Sequence, residues 1–561
     1  MRQLSGKDAS FLYLDSPNGD THGTIVFIYD PSSAPAQPVR FKDILAHIES
    51  RLSISRIFRQ RLVHVPMELD YPYWVDDKAF DIEYHVRHVA LPKPSDWRQF
   101  CILASRLHTP PLNLQRPLWE MTVVEGLDNV DWLPRGSFAL LIKAHHCALD
   151  GHTAAELTMG LHDLSADGSK RVEVPAVPYC PEATPSVLEL LANAVVSNAR
   201  SPFKLAGPAT RALPKLATTL RKFYSRALGA PGSNPVTRFN LKRSPHRVFT
   251  ARRFALDDVK RVRAAVPGAT INDAVLSICA GAVRQYLDAK GELPASTLRV
   301  IAPINTRAEG EYGQAGNNIS FFFPDVRTDI DKPIARLEAV YESTRHAKEV
   351  AAGIGAREMT DISKHMPAAL TLLTTKLLTA TSWGAEAAPL FHFAVSNVPG
   401  PTVPLYLCGA RMQCWSVVAP LTPGMGLLFA VTSYLDRLFI APTADRQAVP
   451  DPDFLEQCID RSFAAHLVAA NALLRKHPEL LAQSAKSRKG RRAHPGLAAM
   501  AKLSGANAAG KTTGRGPKTG VAAAKGRKQA RKGVPAKGGR RRPAIVRTRT
   551  RKATGKRRRA A

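Results

Sequence analysis

At residues 137–151 the chain reads SFALLIKAHHCALDG. The apolar run that ends at Ala144 is too short for a helix of ordinary length, so it predicts a buried strand. The apolar spacing from Thr153 to Leu161 then predicts a helix. His145 and His146 therefore lie at a strand end, where a rigid scaffold passes into a loop and commonly presents catalytic groups.

Three residues of this stretch, His146, Asp150 and Gly151, could together form a general-base site. A neutral His146 could take a proton from a hydroxyl or an amine if its tautomer is fixed. Asp150 follows four residues later and could orient His146 directly, or brace the loop by pairing with an arginine elsewhere. Gly151 permits a backbone angle or a close approach that a side chain would prevent.

Other interpretations of the histidine pair stay open on spacing alone. Successive side chains of a strand point to opposite faces, so His145 and His146 are not expected to face one ligand, and we predict no metal site. A histidine pair at a strand end is more often structural than catalytic. The added aspartate and glycine make the two interpretations about equally supported.

Charge divides the chain at residue 484. The formal net charge is +31, but residues 484–561 hold 26 Lys or Arg and no Asp or Glu, and the remainder holds 52 basic against 47 acidic residues. The final segment also lacks Phe, Trp and Tyr. It cannot bury enough apolar surface to offset the entropy of ordering, so we predict a disordered basic tail over 484–561.

The remainder reads as an α/β protein of two halves. We place an N-terminal subdomain at 1–165, a proline-broken helical linker at 166–245 and a C-terminal subdomain at 246–483, with a cleft between the halves into which the histidine loop opens. Predicted strands include residues 24–29, 80–86, 118–125, 248–256, 298–304 and 427–434. Predicted helices include residues 41–51, 96–107, 186–198, 211–228, 271–289, 334–350, 368–379 and 452–476.

The N-terminus and the cysteines give an expectation for the cellular location. The N-terminus has no apolar core of a signal peptide, and the seven cysteines show no pairing pattern, so we expect a reducing, cytoplasmic location. The most apolar stretch, 367–383, contains Lys376 and several threonines. It predicts a core or amphipathic helix rather than a membrane span.

Several blocks of sequence carry a family resemblance when taken together and in order. They are the HHxxxDG motif at 145–151, LSGKDASFL at 4–12, RPLWE at 116–120, TINDAVL at 270–276, SNVPGP at 396–401, and the endings at 433–445 and 449–452. With them the chain resembles the bacterial wax ester synthase/diacylglycerol acyltransferase family, within the acyltransferases related to chloramphenicol acetyltransferase and to condensation domains. The resemblance covers residues 1–477 and leaves out the tail.

The resemblance implies a fold and an activity. The expected fold is α/β, with two chloramphenicol-acetyltransferase-like subdomains around a central cleft. The expected reaction transfers a long-chain fatty acyl group from acyl-CoA, as cosubstrate and without a further cofactor, to diacylglycerol or a long-chain alcohol. The products are triacylglycerol or wax ester.

The resemblance also assigns roles to residues. His146 would deprotonate the acceptor hydroxyl, His145 would support it, and Asp150 would hold the loop through an arginine, with Arg59 or Arg61 as candidates. Gly151 and Asn272 are candidate substrate-binding residues, although Asn272 and Asp273 could instead cap the helix that follows. For Trp119 we favour packing in the core.

The tail and the acceptor leave further alternatives. A polycation of this kind attracts anionic lipid headgroups or nucleic acid, and we favour the surface of a membrane or lipid body, with peripheral attachment to the inner membrane face. One alternative function is acyl transfer to another alcohol or to an amine. Another is a catalytically inactive homologue that binds lipid bodies or nucleic acid.

Overall fold

The computed structural model describes residues 1–16, 21–148, 151–171, 181–199, 234–241, 244–305, 319–353, 368, 371–373, 376 and 389–483. Predictions for Asp150, for the helix at 211–228, for most of the helix at 368–379 and for the tail at 484–561 lie outside these residues. So does most of the linker at 166–245.

Strands and helices alternate along the described chain. The strands are β1 (Arg2–Gln3), β2 (His22–Asp30), β3 (Gln60–Val63), β4 (Tyr73–Asp76), β5 (Val86–Ala90), β6 (Trp119–Glu125), β7 (Phe138–His145), β8 (Arg247–Phe249), β9 (Arg252–Ala255), β10 (Val300–Asn305), β11 (Ile319–Phe322), β12 (Phe393–Pro399), β13 (Tyr406–Leu407), β14 (Ala410–Val418), β15 (Leu427–Tyr434) and β16 (Arg437–Asp445). The helices are α1 (Gly6–Tyr13), α2 (Phe41–Arg51), α3 (Ile82–His85), α4 (Trp97–His108), α5 (Gly151–Leu161), α6 (187–199), α7 (Leu256–Ala264), α8 (Ile271–Ala289), α9 (Pro333–Gly353) and α10 (Pro452–Lys476).

Within the described residues the strands form three sheets. The first has the order β13-β14-β2-β7-β6-β5, and β7 lies near its centre, antiparallel to both neighbours. The second has the order β11-β10-β12-β15-β16-β8, with β9 also paired to β16. A small third sheet has the order β1-β4-β3. This arrangement confirms the predicted α/β class.

The strand that ends in the histidine pair is buried along its whole length, as predicted. Helices α2, α4 and α5 contribute apolar side chains to the core around it, including Ile48, Phe100 and Met159. Each large apolar side chain removed from water in this way contributes roughly 1.5–3 kcal/mol. The central position of β7 therefore gives His145 a rigid attachment.

One strand joins the two halves of the chain. β14 lies between β12 and β15 in sequence, yet it pairs with β2 of the first sheet from Thr24 to Asp30. Its Trp415 is buried, and the Trp415 carbonyl accepts a hydrogen bond from Thr432 Oγ1 of β15 at 2.6 Å. The sequence boundary at 246 therefore does not separate the two sheets, because a strand of the second half completes the first.

Two local predictions were wrong. Residues 80–86 were predicted as one strand, but α3 occupies 82–85 and only Val86 begins a strand, because the Asp81 side chain accepts a hydrogen bond from the Glu83 amide and caps a helical turn. The predicted strand at 248–256 is two short strands, β8 and β9, which pair with different parts of β16. The helices at 41–51, 271–289 and 452–476 are confirmed to the residue.

Candidate active site

His145 is the last residue of β7 and is buried, with 1% of its surface exposed. Its Nδ1 accepts a hydrogen bond from the Cys147 backbone amide at 3.2 Å, and its Nε2 lies 2.8 Å from Asp15 Oδ2. An Nδ1 that accepts leaves the ring proton on Nε2, where it is donated to the carboxylate. Because both ring nitrogens are used in this way, His145 is not available as a metal ligand.

Asp15 and Thr21 connect this histidine to the N-terminal segment. Asp15 Oδ1 accepts hydrogen bonds from the Thr21 amide at 2.7 Å and from Thr21 Oγ1 at 3.1 Å. The same hydroxyl also lies 2.8 Å from the Phe11 carbonyl of α1. The carboxylate is therefore held by three contacts, counting that with His145, and cannot rotate away without losing them.

His146 is placed by the same N-terminal segment. Its backbone amide donates to the Thr21 carbonyl at 3.1 Å, and its ring stacks on Phe11 with centroids 4.9 Å apart and planes inclined by 16°. The side chain is only partly buried, in contrast to that of His145. The two histidines thus have different environments: His145 is fixed in the interior, and His146 retains access to solvent.

The remaining residues of the motif are only partly described. Gly151 is the first residue of α5, whereas Asp150 lies outside the described residues. The guanidinium of Arg59 lies over the Phe80 ring, 5.8 Å from its centroid, and Arg61 lies on β3. The pairing of Asp150 with either arginine stays a prediction.

A buried polar cluster lies behind the histidines and was not expected from the sequence. His22 is the β2 partner of His145, and its Nε2 lies 2.5 Å from the His108 carbonyl at the end of α4. Thr24 Oγ1 lies 2.9 Å from His108 Nδ1, and Lys143 Nζ donates to the Pro110 carbonyl. Burial, and secondarily the nearby Lys143, lowers the pKa of His22 to about 3, so its imidazole is neutral at physiological pH.

The helix that begins after Thr270 shows which residue forms its cap. Thr270 is the N-cap, and its backbone amide and hydroxyl both donate to Asp273 Oδ2 at 2.7 Å, which completes a capping box. Asp273 is buried and also accepts from Thr344 Oγ1 at 2.6 Å. The capping interpretation is therefore confirmed for Asp273, whereas Asn272 lies partly buried in the first turn of α8.

The Pro-Leu-Trp block supports the histidine strand by packing. The Leu118 carbonyl accepts from the His145 amide at 3.1 Å, and Leu118 is buried beside Cys147. Trp119 is 2% exposed, stacks on His85 at 4.4 Å, and donates from Nε1 to the Phe58 carbonyl at 3.0 Å. The predicted core role of Trp119 is confirmed.

The SNVPGP segment ends β12 at a point of close packing. A Cβ at Gly400 would overlap the Trp415 ring and the Ser433 carbonyl, so the chain can pass here only as glycine. Its backbone amide donates to Ser433 Oγ at 3.3 Å. The segment therefore fixes how β12 and β15 approach the joining strand β14.

A cleft of about 1310 Å³ lies between helix α4 of the first half and strands β8 and β9 with helix α10 of the second. It agrees with the predicted cleft between the halves. Among the described residues, its wall contains neither His145 nor His146, so the expectation that the histidines open into it is not met by this cavity. Pro110 at one end of the cleft connects to β7 through Lys143, two residues before His145.

Similar structures place this arrangement in a class. A wax ester synthase/diacylglycerol acyltransferase from Marinobacter aquaeolei VT8 aligns over 84% of this chain and 100% of its own, with a TM-score of 0.61 and 24% sequence identity. The cyclization-docking bidomain of the peptide synthetase EpoB from Sorangium cellulosum aligns over 83% of each chain, with a TM-score of 0.50 and 13% identity. The fold is thus the α/β fold that these two structures share.

Sequence comparison gives the particular family. The wax ester synthase/diacylglycerol acyltransferase catalytic domain matches residues 4–275, and the C-terminal domain of the same family matches residues 315–466. A protein of Mycobacterium tuberculosis, strain CDC 1551, that is provisionally named a diacylglycerol O-acyltransferase is 32% identical over 80% of this chain and 87% of its own. The chain belongs to the wax ester synthase/diacylglycerol acyltransferase family, and it is an acyltransferase.

The main site residues that sequence reasoning missed are Asp15 and Thr21. Asp15 lies 130 positions from its partner His145, and no local pattern connects them. Phe11 belongs to the LSGKDASFL block, but only the tertiary fold stacks it on His146. The N-terminal segment is therefore part of the site.

Proposed function

We propose that this protein transfers a long-chain fatty acyl group from acyl-CoA to the hydroxyl of diacylglycerol or of a long-chain alcohol, with His146 as the general base. The observation that carries the proposal is the support of both histidines by one segment. Phe11 stacks on His146, Asp15 binds His145, and the Thr21 carbonyl accepts from the His146 amide. A partly exposed imidazole on such a rigid support can meet a substrate without reorganisation.

The reaction follows as a direct transfer. The His146 imidazole takes the proton of the acceptor hydroxyl as its oxygen attacks the thioester carbonyl. The tetrahedral intermediate then collapses, the carbon–sulfur bond breaks, and the imidazolium returns the proton to the thiolate of CoA. No acyl-enzyme and no further cofactor is needed. General-base catalysis of this kind contributes roughly 100- to 10,000-fold to the rate.

His145 and Asp15 act on this step by positioning. The proton on His145 Nε2 is committed to Asp15, and its Nδ1 to the Cys147 amide, so His145 does not compete for the acceptor proton. These bonds fix the strand end from which His146 projects. His145 is therefore a positioning residue in this proposal.

We propose a lipid acceptor, and the names of the relatives support this choice. The Mycobacterium tuberculosis relative is named for diacylglycerol, and the Marinobacter protein for both diacylglycerol and wax ester synthesis. Among the described residues no helix is long and apolar enough to cross a membrane. The 26 Lys or Arg and the lack of Asp and Glu at 484–561 support a peripheral attachment on the cytoplasmic side, with this basic tail bound to anionic lipid.

The test of this function is a transfer assay with a histidine variant. Purified protein receives labelled palmitoyl-CoA with diacylglycerol, hexadecanol, and a panel of other alcohols and amines, and the products are separated by chromatography. His146→Ala should lower kcat by about 100- to 10,000-fold, because the base is lost. Its thermal unfolding should stay close to that of the unaltered protein, since the side chain is partly exposed.

The chain offers a matched control. His88 on β5 stacks on Phe41 with centroids 4.9 Å apart, which reproduces the ring contact of His146 at a distant place. His88→Ala should leave kcat unchanged. Near-normal turnover of His146→Ala would remove the assigned role. If the unaltered protein transfers the acyl group only to amines or sugars, the proposed lipid acceptor is wrong. If it transfers to no acceptor, the protein is better explained as an inactive homologue.

A further inference from the structure

We propose that the cleft between α4, β8, β9 and α10 binds the phosphate groups of the CoA half of the acyl donor, through Arg106, His246, Arg446 and Arg253. This inference rests on the proposed function, because it names the part of that enzyme that recognises the donor. The four side chains are solvent-exposed and line the same cavity of about 1310 Å³.

Most acidic side chains in the cleft wall are already paired. Arg98 binds Asp453 at 3.0 Å, and Arg252 binds Glu456 at 2.6 Å. Asp460 also binds Arg252, and Asp96 accepts from the Gln99 amide as the cap of α4. Asp453 and Arg98 balance each other, whereas Glu456 and Asp460 share the single charge of Arg252. The cleft wall as a whole carries six arginines against five carboxylates, so it keeps a small excess of positive charge for an anionic ligand.

The proposed ligand groups differ from these pairs. Across the part of the chain that the structure describes, Arg106, Arg253 and Arg446 have no carboxylate within ion-pair distance. Arg106 lies on the last turn of α4, and the Arg446 amide donates to the His246 carbonyl at 3.1 Å, so these last two residues are neighbours. Guanidinium groups without a carboxylate partner in a cleft are suited to bidentate binding of phosphate.

A buried ion pair makes this part of the wall rigid. Arg247 directly follows His246 in sequence and Asp445 directly precedes Arg446; both are buried, and they bind each other at 3.2 Å. Arg247 also donates to the Ser244 carbonyl at 2.6 Å and to the His246 carbonyl at 3.1 Å. The backbone that presents His246 and Arg446 is thus fixed before any ligand binds, which lowers the entropy lost on binding.

The cleft wall also contains two aromatic side chains that suit a nucleotide base. Trp97 and Trp132 contact each other with ring centroids 5.7 Å apart, and the guanidinium of Arg253 lies 4.7 Å from the Trp132 centroid. Aromatic rings beside a cation bind bases by stacking. Phosphates together with an aromatic base describe the 3′-phosphoadenosine diphosphate portion of CoA rather than a fatty acid or a simple anion.

The cleft also extends toward the proposed chemistry. Helix α4 spans 12 residues, or about 18 Å, from the tryptophan end to the end at Pro110. The Pro110 carbonyl accepts from Lys143 of β7, which lies two residues before His145. The part of the cleft wall at Pro110 is thus connected, through Lys143, to the strand whose end presents His146.

A kinetic comparison of two donors tests the assignment. Palmitoyl-CoA and S-palmitoyl-pantetheine share the thioester, but only the first has phosphates. In the double variant Arg106→Ala/Arg446→Ala we expect KM for palmitoyl-CoA to rise about tenfold, equivalent to about 1.4 kcal/mol, while KM for S-palmitoyl-pantetheine and kcat for both stay unchanged. The matched control is Arg87→Ala/Arg345→Ala, two arginines outside the cleft with 51% and 64% of their side chains exposed.

Equal changes for both donors, or no change for either, would overturn the proposal while the transfer activity itself stands. Absence of transfer by the unaltered protein from either donor would instead contradict the proposed function. In that case a binding measurement still tests whether the cleft binds the phosphates of CoA. By calorimetry, the Kd of 3′-phosphoadenosine 5′-diphosphate should rise about tenfold in the double variant and not in the control. The tail is present in all three proteins, so equal Kd values would refute the site.

Discussion

Replacing Asp15 by asparagine changes one polar group at the base of the histidine pair. In the native protein Asp15 Oδ2 accepts the proton of His145 Nε2 at 2.8 Å, and Oδ1 accepts from the Thr21 amide at 2.7 Å. In the variant Asp15→Asn, the side-chain carbonyl oxygen retains the second bond. The side-chain NH2 group then faces the N–H of His145, so that two donors oppose each other.

His145 cannot relieve this conflict by changing its tautomer. A proton on Nδ1 could be donated to Cys147 Sγ, a weak acceptor 3.0 Å away, but the Cys147 amide 3.2 Å away would then lose its acceptor. Both tautomers therefore leave one donor without an acceptor, in a place where His145 is 1% exposed. A buried polar group without its partner costs about 1–3 kcal/mol, so the free energy of unfolding should fall by about that amount.

The same change should slow transfer. Displacement of the strand end by a fraction of an ångström misaligns His146, and a misplacement of about 1 Å can cost on the order of 100-fold in rate. On that basis we expect kcat to fall by about 10- to 100-fold with a smaller change in KM. The assays are steady-state transfer from palmitoyl-CoA to hexadecanol, and urea unfolding of the same preparation.

A control and a spectroscopic readout separate positioning from general destabilisation. Asp30 lies at the other end of β2 and also accepts from a backbone amide, that of Ser32 at 2.8 Å, so Asp30→Asn should leave kcat unchanged. The ¹⁵N shifts of His145 should report an Nε2-protonated ring in the native protein and a mixture of tautomers in Asp15→Asn. Native kcat together with a native tautomer in that variant would refute the reasoning.

Two further predictions concern pH and the tail. Burial lowers the pKa of three histidines to about 3. In the unfolded chain these rings take up protons below about pH 6.5, whereas in the native protein they stay neutral. Each should therefore lower the free energy of unfolding by roughly 2 kcal/mol when the pH falls from 8 to 5. They are His22, His162 and His466. Urea unfolding at the two pH values measures the sum for these three and for the other histidines whose pKa burial lowers, among them His108. Equal stability at the two pH values would contradict the assignment. Deletion of residues 484–561 should abolish sedimentation with anionic vesicles at low salt but leave kcat in detergent micelles unchanged; retained sedimentation would show that another surface binds lipid.

Local patterning determined several elements of this protein from the sequence. The buried strand at 138–145 and the helices at 41–51, 271–289 and 452–476 follow from runs and periodicities that need no distant partner. The predicted strand at 80–86 was wrong because a local hydrogen bond favours a helical turn there: the Asp81 side chain caps the turn. The family also follows from sequence, because ordered motifs carry information that no single motif has.

Only the tertiary structure decided what surrounds the histidines. The contact of Asp15 with His145, the stacking of Phe11 on His146, and the strand β14 that completes the first sheet all join residues that lie far apart in the chain. Such pairings depend on how whole elements pack, and local preferences do not encode them. The sequence therefore identified His146 as a candidate general base, whereas the fold decided which side chains hold the histidine pair in place.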